Sequence, residues 1–114
     1  MSFVKYEPKG NIAYLIIDRE KALNALNSQV LADLDAALDA IDLDTVRCVI
    51  VRGAGDKSFV AGADIAQMKE LSKEEGEAFG KQGNDVMRKL EALPVPTIAA
   101  VGGYALGGGC ELAM

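Results

Sequence analysis

The chain has 114 residues, half of them apolar and a quarter charged, which fits one folded domain or part of a larger one and excludes a second independent core. Its 12 basic and 17 acidic side chains give a formal charge of -5, so binding to nucleic acid or to an anionic membrane surface is not expected. The absence of histidine excludes Ser-His-Asp and Cys-His catalytic sets and the usual zinc ligands, which leaves carboxylates for acid-base chemistry and predicts no metal site.

A hairpin is predicted at the start of the chain. Residues 12–17 (IAYLII) are apolar at both odd and even positions, which is typical of a strand covered on both faces. The shorter stretch 3–6 can pair with it across a turn around residues 8–11, PKGN. We therefore expect two paired strands before the first helix.

A helix and a second strand are predicted next. Leucine and isoleucine recur at steps of three and four over residues 28–42, which predicts a helix with Asn27 or Ser28 as its N-cap. Its apolar face comprises Leu31, Leu34, Leu38 and Ile41, and Asp33, Asp35 and Asp39 face water. Residues 46–51 (VRCVIV) predict another buried strand, which ends at a turn over 53–56 and is followed by a loop.

The second half of the chain carries two more helices and a strand. A short helix is predicted from Ile65, and a long helix over 72–92, where Ser72 and Glu75 form a capping-box pattern. Prolines after residue 92 end the long helix. A third strand covers 97–101, and a last helix is expected from about Cys110, after the glycine-rich sequence GGYALGGG.

Two segments share one plan, at a spacing of roughly 45 residues. Strand 46–51 leads to the small-residue loop 61–64 (AGAD) and a helix, and strand 97–101 leads to the glycines at 107–109 and a helix. Stacked units of this kind form a spiral. The predicted fold class is therefore α/β.

Both small-residue loops could bind an anion, because the first turn of a helix offers unpaired N–H donors to a ligand that approaches the backbone closely. If the units stack, the N–H groups of Ala63 and Gly108 could point at one position, as a developing enolate or acyl oxyanion requires. Tight packing of strand against helix would explain the same small residues. The glycine run matches neither the dinucleotide fingerprint nor a P-loop.

Two carboxylates follow these loops. Glu111 has apolar neighbours in sequence, which would raise its pKa and make it a competent general acid or base. The alternative is that Glu111 only stabilises the first turn of a helix through the macrodipole. Asp64 has the same two interpretations.

The two cysteines favour a reducing compartment. Cys48 and Cys110 are far apart in apolar sequence, a pattern of buried thiols rather than of a disulfide framework or a CxxC metal site. The N-terminus MSFVKYEPKG lacks the apolar core of a secretory signal, and no apolar stretch is long enough to span a membrane. We expect a soluble, cytoplasmic protein.

Three segments together resemble the enoyl-CoA hydratase (crotonase) family: KALNALN at 21–27, SFVAGADIAQM at 58–68 and PTIAAVGGYALGGGCELAM at 96–114. The resemblance implies a spiral of ββα units, with the acyl-CoA substrate in a bent groove between the AGAD loop and the glycine-rich loop. It also implies water addition to a 2-enoyl-CoA, as in fatty-acid β-oxidation, without a cofactor, because coenzyme A belongs to the substrate. A homotrimer or a dimer of trimers is expected.

The resemblance also assigns roles to residues. Ala63 and Gly108 look like the two N–H donors to the thioester oxygen, and Glu111 looks like the first of two glutamates that hold and activate water. The residues expected beside coenzyme A are Lys21, Ala22, Leu23, Ala61, Asp64, Ile65 and Gly107.

Two departures from the family pattern leave alternatives open. The family usually has Asn-Gly where this chain has Gly102-Gly103. The second glutamate of the family is not found in this sequence, so residues 1–114 are expected to form the N-terminal part of a crotonase-like domain, without its C-terminal trimerisation helices, and to be inactive alone. The alternatives are a Δ3,Δ2-enoyl-CoA isomerase or another crotonase-fold acyl-CoA enzyme. A further alternative is a non-catalytic fragment that binds coenzyme A or assembles with a complementary piece.

Overall fold

Six strands and four helices build the fold in the computed structural model, which describes residues 2–114. The strands are β1 (Val4–Lys9), β2 (Ile12–Ile17), β3 (Cys48–Gly53), β4 (Ser58–Val60), β5 (Thr97–Ala100) and β6 (Tyr104–Ala105). The helices are α1 (Ser28–Asp39), α2 (Ile65–Met68), α3 (Lys73–Glu91) and α4 (Gly108–Ala113), with a 3₁₀ turn at Glu20–Ala22.

The strands form two sheets. The larger sheet has the order β1-β2-β3-β5, in which β1 and β2 are antiparallel and the other neighbours are parallel. The smaller sheet pairs β4 with β6 in parallel. Since a parallel pair needs a crossover connection, the chain leaves the larger sheet after β2 and β3 and returns one strand further along.

The repeated plan predicted from the sequence is confirmed as a spiral of ββα units. The first unit is β3-β4-α2, with α3 following, and the second is β5-β6-α4. Each strand of the first unit pairs in parallel with its equivalent in the second, β3 with β5 and β4 with β6. A preceding turn continues the series, because Leu26 forms a parallel bridge with Ala63. This stacking brings the AGAD loop and the glycine-rich loop together.

Helix α1 packs on β1 and β2 of the larger sheet, and α3 packs against α1 and is tied to it by charge. Lys89 on α3 lies between Asp35 and Asp39 of α1, 2.7 Å from the nearer Asp35 oxygen. Asp33 accepts a hydrogen bond from Phe3 N at 2.8 Å, which joins α1 to the start of the chain. The largest fully buried side chains are Phe59, Leu15, Ile17, Leu34, Val30, Val49, Val60 and Asn24.

Several predicted elements are confirmed. Strand 12–17 has the predicted bounds, and it pairs with β1 across the turn at Gly10 and Asn11. Asn27 is the N-cap of α1, where its side chain accepts from Val30 N. The capping box of Ser72 and Glu75 begins α3, which ends before Pro94. The first strand runs on to Lys9 instead of ending at residue 6, because Pro8 occupies an edge strand, where a missing N–H is tolerated.

Two boundaries were wrong in the first half of the chain. The helix predicted over 28–42 ends at Asp39, because residues 42–46 form a turn in which Asp42 accepts hydrogen bonds from Asp44 N and Thr45 Oγ1. That turn also occupies Val46, whose N–H donates to Asp42 O. The strand predicted over 46–51 is therefore Cys48–Gly53, and its burial alternates between its two faces.

Three expectations were wrong around the second sheet. The loop predicted after residue 56 contains β4, a strand of only three residues that is too short to show a period in the sequence. The last helix begins at Gly108, two residues before the predicted start. Glycine has a low helix propensity, so Gly108 and Gly109 were not predicted to be helical. Strand 97–101 ends at Ala100, one residue before the predicted end, and most of it is exposed, with Ile98 51% exposed.

No helix of residues 2–114 is both long enough and apolar enough to cross a lipid bilayer.

Candidate active site

The backbone of Ala63 is held with its N–H group pointing away from the preceding turn of the spiral. Leu26 N donates to Gly62 O at 2.8 Å, and Asp64 N donates to Leu26 O at 2.7 Å. In a parallel bridge the residue between these two bonds directs its own N–H to the opposite side. Across residues 2–114, Ala63 N finds no hydrogen-bond acceptor.

Gly108 provides a second free donor beside the first. It is the first residue of α4, so its N–H has no partner within the helix. The N-cap residue, Gly107, has φ 48° and ψ -116°, a conformation that essentially only glycine adopts. A Cβ atom built on Gly108 would lie 3.8 Å from Ala63 N. The two unpaired N–H groups are therefore neighbours.

A small cavity lies in front of these donors. Its volume is about 150 Å³, and it is lined by Ala63, Gly108 and Glu111 together with Leu26 and residues of α1 and α3. The remaining lining residues are Leu26, Leu31, Phe79, Gly80, Gly83, Asn84 and Met87. Three residues singled out from the sequence thus meet at one cavity that offers two donors, one carboxylate and an apolar wall.

Glu111 stands between this cavity and a larger one. The larger cavity, of about 360 Å³, lies between α3, β5 and α4 and shares only Glu111 and Met87 with the smaller. It contains neither Ala63 nor Gly108, so only the smaller of these two cavities combines both donors with the carboxylate. The apolar enclosure of Glu111 expected from its sequence neighbours is not found, because the residue is exposed.

Asp64 is engaged in a structural pair. Its carboxylate lies 2.7 Å from Arg19 Nη1, and it also accepts from Gln67 N as the N-cap of α2. The hydrogen bond from Arg19 lowers the pKa of Asp64, and partial burial opposes that change less strongly. Asp64 is thus held as a carboxylate, and it lies outside the lining of either cavity that Glu111 reaches.

The segment KALNALN contains a strained turn. Leu23 and Asn24 have φ 52° and 60°, and for leucine this left-handed conformation is unfavourable. The surroundings hold it: Leu23 O accepts from Ser58 Oγ at 2.7 Å and from Ala61 N at 3.2 Å, and the buried Asn24 amide donates to Ser58 O. Strain of this kind is often stored at functional loops.

The other predicted coenzyme A residues lie on the same group of loops. Lys21 and Ala22 belong to the 3₁₀ turn that leads into Leu23, and Ala61 is bonded to Leu23. Ile65 begins α2 and is 70% exposed. Gly107 lies at the start of α4. The structure brings these loops side by side, but their contacts with coenzyme A stay predictions.

Sequence reasoning missed the wall that α3 gives to the cavity. Phe79, Asn84 and Met87 were not considered as site residues. A signal was present: Gly80 and Gly83 lie inside a helix, where each costs about 1 kcal/mol relative to alanine. Both glycines line the cavity. Arg19 was missed as well.

The contacts of the second sheet explain Gly103 but not Gly102, the position at which this chain departs from the Asn-Gly of the family. A Cβ on Gly103 would overlap Lys57 O, the atom that accepts the hydrogen bond from Tyr104 N. Gly102 has open space around it. The second glycine is therefore required, whereas the first is not.

In residues 2–114, no three His, Cys, Asp or Glu side chains cluster as metal ligands would.

Comparison with known proteins places this arrangement in a family context. The family model described as Enoyl-CoA hydratase/isomerase matches residues 7–114. The chain is 56% identical to the Short-chain-enoyl-CoA hydratase of Clostridium acetobutylicum and 52% identical to the Crotonyl-CoA hydratase of Syntrophomonas wolfei, in each case over 95% of this chain and 42% of that protein. The chain thus spans less than half the length of the curated relatives it matches.

Solved structures show the same fold. The crystal structure of an enoyl-CoA hydratase from Bacillus anthracis superposes with a TM-score of 0.94 at 32% identity, covering 98% of this chain and 44% of that one. The enoyl-CoA hydratase from Thermoplasma volcanium superposes with a TM-score of 0.93 at 31% identity, covering 99% and 45%. The expected fold, an incomplete crotonase-like spiral of ββα units, is confirmed by these likenesses.

Proposed function

Because this chain belongs to the enoyl-CoA hydratase/isomerase family, we propose that its cavity is the active site for reversible addition of water to a 2-enoyl-CoA thioester. One observation carries the proposal. The N–H groups of Ala63 and Gly108, which have no acceptor among residues 2–114, are neighbours at a cavity that Glu111 also lines. Two donors and one carboxylate at an apolar pocket fit a reaction that develops negative charge on a carbonyl oxygen.

The two N–H groups act as an oxyanion hole. When hydroxide from water adds to C3 of the enoyl group, the electron pair of the double bond moves toward the thioester oxygen, giving enolate-like charge. Donors that already point at that oxygen stabilise the charge without reorganising. The enolate then takes a proton at C2, which completes the addition.

Glu111 acts as a general acid or base. It lies in the first turn of α4, three residues after Gly108, so it can hold a water molecule close to an enoyl group whose oxygen occupies the donor pair. The family resemblance implies a second glutamate as its partner. Asp64 does not fit that role, because Arg19 lowers its pKa and keeps it ionised.

Coenzyme A lies along the loops beside the cavity. We place it against Lys21, Ala22 and Leu23 on one side and against Ala61 and Ile65 on the other, with Gly107 next to the thioester and Asp64 at the edge of the same loop. The support is that Leu23 is strained and that Ala61 is bonded to it. No further cofactor is required, because acid-base chemistry and two N–H donors suffice for hydration.

Assembly and compartment follow the same proposal. The full gene product forms a trimer or a dimer of trimers, as the resemblance implies, and exposed apolar side chains such as Ile98, Tyr104 and Leu106 supply surface for further packing. Both cysteines are free, which fits a cytoplasmic location. Nucleic acid and membranes are not partners.

Glu111→Gln in the full gene product tests this function. With crotonyl-CoA, chosen because two relatives are named for short-chain and crotonyl substrates, kcat falls by roughly a hundredfold or more while KM changes little, as for loss of a general acid or base. Glu77→Gln, an exposed glutamate of α3, is the matched control and keeps the parent rate.

Two outcomes would contradict the proposal. An unchanged kcat for Glu111→Gln would leave Glu111 as a helix-stabilising residue only. A parent protein that isomerises 3-butenoyl-CoA but does not hydrate crotonyl-CoA would instead assign the site to the isomerase reaction. Gas- or liquid-chromatographic identification of 3-hydroxybutanoate after thioester hydrolysis distinguishes the two products.

A further inference from the structure

Arg19 and Asp64 form the least exposed ion pair among residues 2–114. Arg19 Nη1 lies 2.7 Å from Asp64 Oδ2, and the two side chains are 21% and 14% exposed. The Lys81–Asp85 pair, in contrast, is 78% and 53% exposed. Since fully exposed pairs contribute little, the Arg19–Asp64 pair is the one placed to fix local geometry.

The guanidinium of Arg19 is fixed by other parts of the chain. Arg19 Nη1 also donates to Ala25 O at 3.1 Å, and the guanidinium carbon lies 5.6 Å from the centre of the Phe3 ring. The backbone N–H of Arg19 donates to the buried Asn24 side chain at 2.8 Å. The position of Arg19, two residues after the end of β2, is therefore fixed by contacts of both its side chain and its backbone.

The carboxylate of Asp64 joins the Arg19 guanidinium to the AGAD loop. Its Oδ1 accepts from Gln67 N at 3.2 Å, and its backbone N–H donates to Leu26 O. Ala63 lies immediately before it and supplies one of the two donors. On the other side of Ala63 is Gly62, with φ 99°, a residue whose backbone has wide conformational freedom.

The direction of the Ala63 N–H depends on the peptide that follows this glycine. Leu26 N holds that peptide from one side by donating to Gly62 O at 2.8 Å. Arg19 fixes the two chain segments of this bridge to each other, because its Nη1 contacts both Ala25 O and the Asp64 carboxylate. We propose that Arg19 and Asp64 are a positioning pair that keeps the Ala63 N–H aimed at the cavity, an inference that rests on the proposed function. Neither side chain touches the substrate in this role; both act through the backbone of Ala63.

Two substitutions in the full gene product separate charge from capping. Asp64→Asn retains a good N-cap and nearly the same volume but loses the ion pair, so kcat for crotonyl-CoA falls about tenfold to a hundredfold, with a smaller change in KM. That range lies below the loss of a whole oxyanion donor, about 10²- to 10³-fold. Arg19→Lys keeps the charge without the planar fork and retains more activity than Arg19→Met.

The matched control is Asp18→Asn. Asp18 is the neighbour of Arg19 in sequence and pairs with Lys5, but that pair is 57% and 30% exposed and does not contact the AGAD loop. Asp18→Asn therefore keeps the parent kcat and KM. Urea midpoints of all variants report whether a fall in kcat accompanies a general loss of folding.

A spectroscopic readout follows the donor itself. Butanoyl-CoA labelled with ¹³C at the thioester carbonyl shows a carbonyl stretching band that moves to lower frequency when its oxygen accepts two hydrogen bonds. The parent and Asp18→Asn give the full shift on binding, whereas Asp64→Asn and Arg19→Met give a smaller one. If the pair had only a structural role, the folded fraction of each variant would show the same shift of the band as the parent.

The outcomes for the two proposals differ. If the parent hydrates crotonyl-CoA and shifts the band, but Asp64→Asn and Arg19→Met retain both the shift and kcat, the positioning inference is overturned. If the parent itself neither hydrates nor shifts the band, the proposed function fails instead. If Asp64→Asn does not fold, the comparison of Arg19→Lys with Arg19→Met decides the inference.

Discussion

Replacing Gly109 by alanine should separate the two donors. Gly109 is buried in the first turn of α4, against the backbone of β4. A Cβ at this position would overlap Val60 O and lie 2.7 Å from Val60 C and 3.0 Å from Val60 Cβ. Carbon atoms pack at about 3.5–4.0 Å, so α4 must withdraw by about 1 Å.

That withdrawal has a cost in stability and a cost in activity. Alanine gains about 1 kcal/mol in helix propensity over glycine, but overpacking of a core contact costs about 1–3 kcal/mol or more, and here the clash is with backbone. We expect a net loss of about 1–2 kcal/mol of unfolding free energy. A misplacement of about 1 Å at a reaction centre can reduce the rate about 100-fold, so crotonyl-CoA turnover falls by that order.

Urea unfolding and a crotonyl-CoA absorbance assay measure the two effects on the full gene product. Gly76→Ala is the control for helix propensity, because a Cβ there meets no atom within 4 Å and Gly76 lines neither cavity, and it should gain stability by up to about 1 kcal/mol. Gly109→Ala with the stability and turnover of the parent would refute the claim that close contact between α4 and β4 sets the donor geometry.

Three further predictions follow from the same structure. Gly108→Val places a branched side chain beside the donors, so a folded Gly108→Val protein has reduced crotonyl-CoA turnover; the parent rate would mean that the thioester oxygen binds elsewhere. Arg19 lowers the pKa of Asp64, so this pair stabilises the fold above the unfolded pKa of about 3.9 and loses its effect as the pH falls below that value; the Tm of the parent should therefore drop more steeply below about pH 4 than that of Asp64→Asn, and parallel curves would contradict this. A polypeptide of residues 1–114 should have no measurable hydratase activity and should self-associate, because β5 is a sheet edge and Ile98 and Tyr104 are 51% and 56% exposed; an active, monodisperse monomer in light scattering would contradict it.

The sequence predicted those parts of the fold that have a strong period or a strong cap. Strand 12–17 is a continuous apolar run and was found with its bounds. The helix starting at Lys73 was found because the side chains and backbone of Ser72 and Glu75 form a reciprocal cap that is local in sequence.

The second sheet could not be predicted, because its strands are stabilised by distant partners. Strand β4 has three residues and β6 has two, which is too short for an alternating pattern to be recognised. Their pairing depends on the spiral, which places Ser58 opposite Tyr104. The start of α4 was predicted at the wrong residue for a related reason. Gly107 ends the loop with a backbone conformation that glycine can adopt, but a glycine in the sequence does not show that this conformation is present.

The backbone donors of the candidate site could be predicted from the sequence, whereas the side chains that line its cavity could not. Ala63 and Gly108 could be paired because the two units repeat, and equivalent residues of stacked units lie side by side. The contribution of Phe79 and Met87 depends on how α3 packs over that loop, which no local pattern fixes. The partner of Asp64 was missed for the same reason, since Arg19 is distant in sequence.

A crystal structure of the full gene product with butanoyl-CoA, a saturated analogue that cannot add water, tests the central claim most directly. We expect the thioester oxygen to lie within about 2.7–3.1 Å of both Ala63 N and Gly108 N, the range of hydrogen bonds in an oxyanion hole. We expect the acyl group to lie beside Glu111. A thioester oxygen bound away from both nitrogen atoms, with the acyl group outside the cavity that Ala63, Gly108 and Glu111 line, would contradict it.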